Sequence, residues 1–146
     1  MFEIELNMLF HSIFLIILIV PAIQCGTMLE FQFKTQDVHD AGMDSGGINF
    51  EICSGSECCF IQNTDYPYDQ WARGVIEGFT GSQLQECSEF KIPDNGTAEV
   101  KLFHFGDDGW RGAYVRLLLD SGIYYQCPIN DFLDNNDHMY LECKIG

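Results

Sequence analysis

The chain is 146 residues long and 47% apolar, with seven Lys and Arg against 22 Asp and Glu and a formal net charge of −15. That acidity argues against nucleic acid or any other polyanion as a partner and makes cations the natural ligands. The length suffices for one compact domain with its own core, not for two.

The first predicted element is a secretory signal peptide. Residues 8–23 form an apolar block, densest from Ile13 to Val20, followed by Pro21 and small residues near Ala22 and Cys25. A membrane-spanning helix needs about 20 apolar residues and a signal core only about 7–15; His11, Ser12 and Pro21 trim this block to the shorter class. The residues before it carry Glu3 and Glu5 and no Lys or Arg. The expectation is a signal at 1–25, one domain at 26–146, and a secreted, extracellular protein.

Leu29, Phe31 and Phe33 then alternate with Glu30, Gln32 and Lys34, and Ile48, Phe50 and Ile52 alternate with Asn49 and Glu51. Each run has the two-residue period of a half-buried strand. Between them, residues 34–47 hold three aspartates (Asp37, Asp40, Asp44) and three glycines (Gly42, Gly46, Gly47). Calcium takes six to eight oxygens at about 2.3–2.6 Å from carboxylates and bent backbone carbonyls, and glycines let a chain fold around the ion. A solvated acidic hairpin is the plain competing reading of this loop alone.

Further strand-like runs follow at 75–79, 100–102, 115–119, 123–127 and 139–143, separated by turn signals such as Asp94-Asn95-Gly96 and Asp120-Ser121-Gly122. No stretch after the signal has a helical period. Seven or eight short antiparallel strands at this spacing predict an all-β fold, an antiparallel β-sandwich of two roughly four-stranded sheets. Asn95-Gly96-Thr97 is an N-glycosylation sequon on a predicted hairpin turn, so Asn95 is a candidate glycan site.

Six cysteines follow the signal: Cys53, Cys58, Cys59, Cys87, Cys127 and Cys143. An even number in a secreted-looking chain predicts a disulfide framework, and none shows the paired Cys-x-x-Cys spacing of structural zinc sites. Cys127 shares strand parity with Ile123 and Tyr125, and Cys143 with Met139 and Leu141, which predicts a Cys127–Cys143 bridge if those strands are neighbours. Adjacent Cys58 and Cys59 face opposite ways, leaving Cys53 and Cys87 as their candidates.

In order, these motifs resemble the PLAT domain, the sandwich shared by polycystins, lipoxygenases and bacterial alpha-toxin. The likeness starts at Thr35…Asp40-Ala41-Gly42-Met43-Asp44-Ser45. It continues through Trp71-Ala72-Arg73-Gly74 with Phe79, then Leu84 and a short strand near 90–92, then His104…Asp107-Asp108-Gly109-Trp110. Val115, Tyr124-Tyr125, Cys127 and Phe132-Leu133 close it. Met43 stands where the family often has Thr, Phe105-Gly106 where Asp-Asn follows the His, and Phe132 where Trp is common. The three expected disulfides further suggest a stand-alone secreted member without a catalytic domain.

The resemblance implies calcium held between the first loop and the turn before the Trp, by Asp40, Gly42, Asp44 and Asp107 with Asp108 beside them. It also implies contact with a membrane lipid surface or an extracellular protein, with calcium organising the loops. Trp110, Trp71 and Tyr66 fall in predicted turns or strand ends, where rings either enter a membrane interface or plug the sandwich core. Trp71, beside Arg73-Gly74, suits the core better; Trp110, beside the aspartates, is the leading contact residue. Catalysis has thin support, because His39, His104 and His138 have no nucleophile at a motif spacing and oxidised cysteines cannot attack. The alternative is a disulfide-stabilised extracellular interaction or toxin-like protein that uses neither calcium nor lipid.

Overall fold

The computed structural model describes residues 24–39, 41–42, 46–62, 72–106, 108–129, 131–134 and 137–146. Residues 1–23 of the expected signal peptide lie outside them. Among the described residues there are ten strands: β1 (Cys25–Thr35), β2 (Gly47–Ser54), β3 (Glu57–Ile61), β4 (Ile76–Thr80), β5 (Lys91–Pro93), β6 (Ala98–Phe105), β7 (Trp110–Leu119), β8 (Tyr124–Pro128), β9 (Phe132–Leu133) and β10 (His138–Ile145). A short 3-10 helix (Gly81–Cys87) stands between β4 and β5.

All pairings are antiparallel, and the strands run in the order β3-β2-β6-β10-β8-β7-β1-β4. The sheet curls so that four strands on each side face one another. Its fold-line is the short β10–β8 pairing, Lys144 opposite Gln126 and Ile145 opposite Tyr125. The expected sandwich of two four-stranded leaves is therefore present.

Phenylalanines hold the leaves together. Phe31 and Phe33 on β1 meet Phe50 on the opposing leaf at ring-centroid distances of 4.6 and 5.8 Å, and Phe79 lies 5.8 Å from Phe33. All four are buried, and full burial of such a side chain stabilises by about 1.5–3 kcal/mol. Ile48, Phe50 and Ile52 all point inward, as their alternation predicts.

Leu29 departs from its expected alternation. A bulge between Met28 and Glu30 shifts the register of β1 against β7, so Met28 is buried in place of Leu29, which is 59% exposed.

Three disulfides form, and their pairing follows strand geometry. Cys53 and Cys58 are direct cross-strand partners on β2 and β3, Cys59 reaches inward to Cys87 on the 3-10 helix, and Cys127 joins Cys143. The last bridge lies beside the β8–β10 fold-line and ties the two leaves covalently. Cys25, outside these bridges, opens β1 one residue before the expected domain start.

Candidate functional site

Three loop segments meet at one end of the sandwich. β1 ends at buried Thr35 and leads into the acidic loop, which returns to β2 at Gly47 opposite Phe105 of β6. Gly46 has φ 93° and lies so close to the Phe105 carbonyl oxygen that any Cβ would collide with it. Only glycine closes the loop there.

Hydrogen bonds tie the acidic loop to the start of β7. The Arg111 N–H donates to the Ala41 carbonyl (3.1 Å) and the Gln36 N–H to the Arg111 carbonyl (3.0 Å). Ala41 is buried and Gly42 half-buried. The third segment joins through the Gly74 N–H on the Gln36 carbonyl (3.3 Å) and an exposed Arg73–Asp37 ion pair at 3.2 Å.

Asp40, Asp44 and Asp107, with Trp71 and Tyr66, lie outside the described residues. For two of them the flanking chain is described: Asp40 precedes the pinned Ala41, and Asp107 stands in sequence between Gly106 and half-buried Asp108. Hard oxygen donors on the acidic loop, which is bonded to β7 at Arg111, and on the turn that leads into β7 are the donor chemistry calcium takes. Among the described residues one grouping of metal-ligating types occurs, Glu51 with Cys53 and Cys58. The disulfide consumes both thiols, so that grouping holds no metal.

Trp110 corrects the sequence reading. It was expected at the tip of the sandwich as the leading contact residue, yet it is fully buried. Its indole N–H donates to Thr35 Oγ1 (2.9 Å), and its ring meets Phe33 edge-on at 6.5 Å. Gly112 leaves the space this ring fills, because a Cβ there would run into the indole. The cause is that β7 starts at Trp110 itself, which turns the ring into the core.

Among the described residues, Ile76 (51%) is exposed on β4 opposite Lys34, and at the loop end itself lie the exposed apolar side chains Val38 (41%), Phe105 (39%) and Phe132 (38%). β9 sets Phe132 opposite Arg111 and lays its ring against Gly109. Sequence reasoning missed these three as contacts. Two of them, Phe105 and Phe132, stand at the positions where the sequence departs from the PLAT pattern.

His39 is exposed and His104 buried. Asn95 is exposed in the turn between β5 and β6. Since β6 runs eight residues from there to Phe105, at about 3.3 Å per residue Asn95 lies roughly 25 Å from the acidic loops, at the opposite pole. No helix among the described residues is long and apolar enough to cross a membrane.

An acidic loop bonded to β7 at the end of a two-leaved antiparallel sandwich defines a PLAT-like, or C2-like, β-sandwich domain. Solved structures share this fold. Coral 8R-lipoxygenase, an enzyme with calcium activation via a C2-like domain, superposes with a TM-score of 0.61 at 16% identity, covering 80% of this chain and 17% of the enzyme. Alpha-toxin from Clostridium absonum gives 0.56 at 20% identity over 84% of this chain and 33% of the toxin. Clostridium perfringens alpha-toxin gives 0.58 at 16% identity over 82% and 32%. The chain thus spans a third or less of each. No family model and no curated protein matches the sequence.

Proposed function

We propose that the protein is a secreted, non-catalytic PLAT-like module whose acidic loop end docks on a membrane lipid surface with the help of calcium. The observation that carries this reading is the rim of Val38, Phe105 and Phe132 around the acidic loop and the turn that leads into β7. Apolar side chains at that rim enter the interfacial region, while calcium on Asp40, Gly42, Asp44 and Asp107, with Asp108 beside them, offsets the negative charge that anionic headgroups repel. The coral lipoxygenase supports the calcium part by its C2-like domain.

Secretion is supported by the three disulfides, which persist in oxidising compartments. The non-catalytic assignment is supported by six thiols tied into bridges. A glycan on Asn95 would sit at the pole away from the loops and leave them free.

Co-sedimentation with phosphatidylserine-containing vesicles tests the proposal. The protein pellets with vesicles in millimolar calcium and stays in solution with chelator. Failure to pellet under both conditions overturns the lipid reading in favour of a protein-only interaction module.

A further inference from the structure

The outer face of the β3-β2-β6-β10 leaf carries a second surface, beyond the loop end. Lys101 on β6 stands in register between Glu51 of β2 and Tyr140 of β10. Its ammonium rests on rings, 4.4 Å from the Phe103 centroid and 4.7 Å from that of Tyr140. Phe60 extends the aromatic surface, 5.9 Å from Phe103.

One row further from the acidic loops, Glu99 and Glu142 are direct cross-strand partners. Like charges so placed destabilise a sheet. With Glu51, Lys101 and Tyr140 they line a depression in this face. Among the described residues Glu51, Glu99 and Glu142 form no ion pair, and Tyr140 is 68% exposed. The one cation in the depression is engaged by rings, and three carboxylates surround it.

We propose that this face docks an extracellular protein partner through a segment presenting arginine among aliphatic side chains. Charge complementarity selects that occupant. A guanidinium lowered between Glu99 and Glu142 donates paired hydrogen bonds to their carboxylates and stacks on the Tyr140 ring. The partner's aliphatic side chains cover Phe60 and Phe103. A second copy of this chain brings the same carboxylates and a net charge of −15, and an anionic membrane brings phosphates; both are repelled.

The test is a titration of the isotope-labelled protein, without lipid and with chelator present, using a synthetic peptide of alternating arginine and leucine. Amide shifts should saturate and concentrate on β6 and β10 around Glu99, Lys101, Tyr140 and Glu142. E99Q/E142Q should weaken binding at least tenfold, as should Y140A. E86Q/E89Q, which makes the same charge change at exposed residues in and just after the 3-10 helix, should leave it unchanged. Thermal melting of each variant verifies that it is folded.

Shifts spread over the whole acidic surface, or equal weakening by both double variants, would overturn the proposal. So would spermine producing the same shifts with equal affinity, which would reassign the depression to small amines. Neither calcium nor lipid is present, so the outcome is independent of the loop-end reading.

Discussion

The Trp110 indole N–H donates to Thr35 Oγ1 at 2.9 Å inside the core, where neither residue reaches solvent. This bond joins the last residue of β1 to the first of β7 at the foot of the acidic loop. It sets where the loop leaves the sandwich, so a core contact positions the candidate site.

Thr35→Val keeps the shape and removes the acceptor. A buried donor left unsatisfied costs about 1–3 kcal/mol, so denaturant unfolding should show a loss in that range. Adding Trp110→Phe should then cost less than the sum of the two single changes, since the bond is already gone. Strict additivity would show that the bond carries no coupling.

The same residues show what the sequence could and could not reveal. Alternation at Ile48, Phe50 and Ile52 reads directly, because one face of β2 is buried along its length. Trp110 was misread because Arg111-Gly112-Ala113-Tyr114 lack alternating apolar residues, so β7 seemed to start at Val115. β3 was missed for the opposite reason. Cys58 and Cys59 bond on its two faces, outward to Cys53 and inward to Cys87, which erases a polar–apolar period. The 3-10 helix gave no helical period in seven residues. The rim of Val38, Phe105 and Phe132 arises from three separate segments, a loop and the ends of two strands, and no local pattern announces it.

Calcium should raise the Tm of the domain. A ligand that binds only the folded state stabilises it by about 2.7 kcal/mol at a hundredfold excess over Kd. Asp40→Asn with Asp44→Asn should abolish the shift. An unchanged Tm for the parent protein at millimolar calcium would remove the ion from the proposed function.

The disulfides should differ in worth according to the loops they close. The sequence separation is 16 residues for Cys127–Cys143 and 5 for Cys53–Cys58. Chain-entropy arguments give about 3 kcal/mol for the longer loop and about 2 kcal/mol for the shorter. Cys127→Ser/Cys143→Ser should therefore lower Tm more than Cys53→Ser/Cys58→Ser, and more still if the fold-line opens. The reverse order would mean that the fold-line holds without its bridge.

Tyr125 makes an alkaline limit. Its ring is buried and its hydroxyl donates to the Pro93 carbonyl. Burial pushes its pKa above the ordinary 10.0, and the nearby Asp94 carboxylate adds to the rise. Below pH 10 the phenol is protonated in both folded and unfolded chains and contributes no slope. Above it the unfolded chain ionises first, so stability is lost as pH rises towards the folded value. Tyr125→Phe should flatten the decline in Tm above pH 10. An identical alkaline limb in both proteins would assign the loss to other groups.

Vesicle binding should depend on the rim and not on the tryptophan. Val38 and Phe105 are exposed at the loop end, so Val38→Thr/Phe105→Thr removes apolar surface without opening the core. Each such side chain contributes on the order of 1 kcal/mol when its apolar surface leaves water, which predicts roughly ten- to thirtyfold weaker co-sedimentation for the pair in calcium. Phe132 is spared because its ring covers Gly109. Trp110→Phe should retain vesicle binding while lowering Tm, since its indole faces Phe33 and Thr35. If Trp110→Phe abolishes binding in a protein that still melts cooperatively, while Val38→Thr/Phe105→Thr binds like the parent, the rim is not the membrane contact.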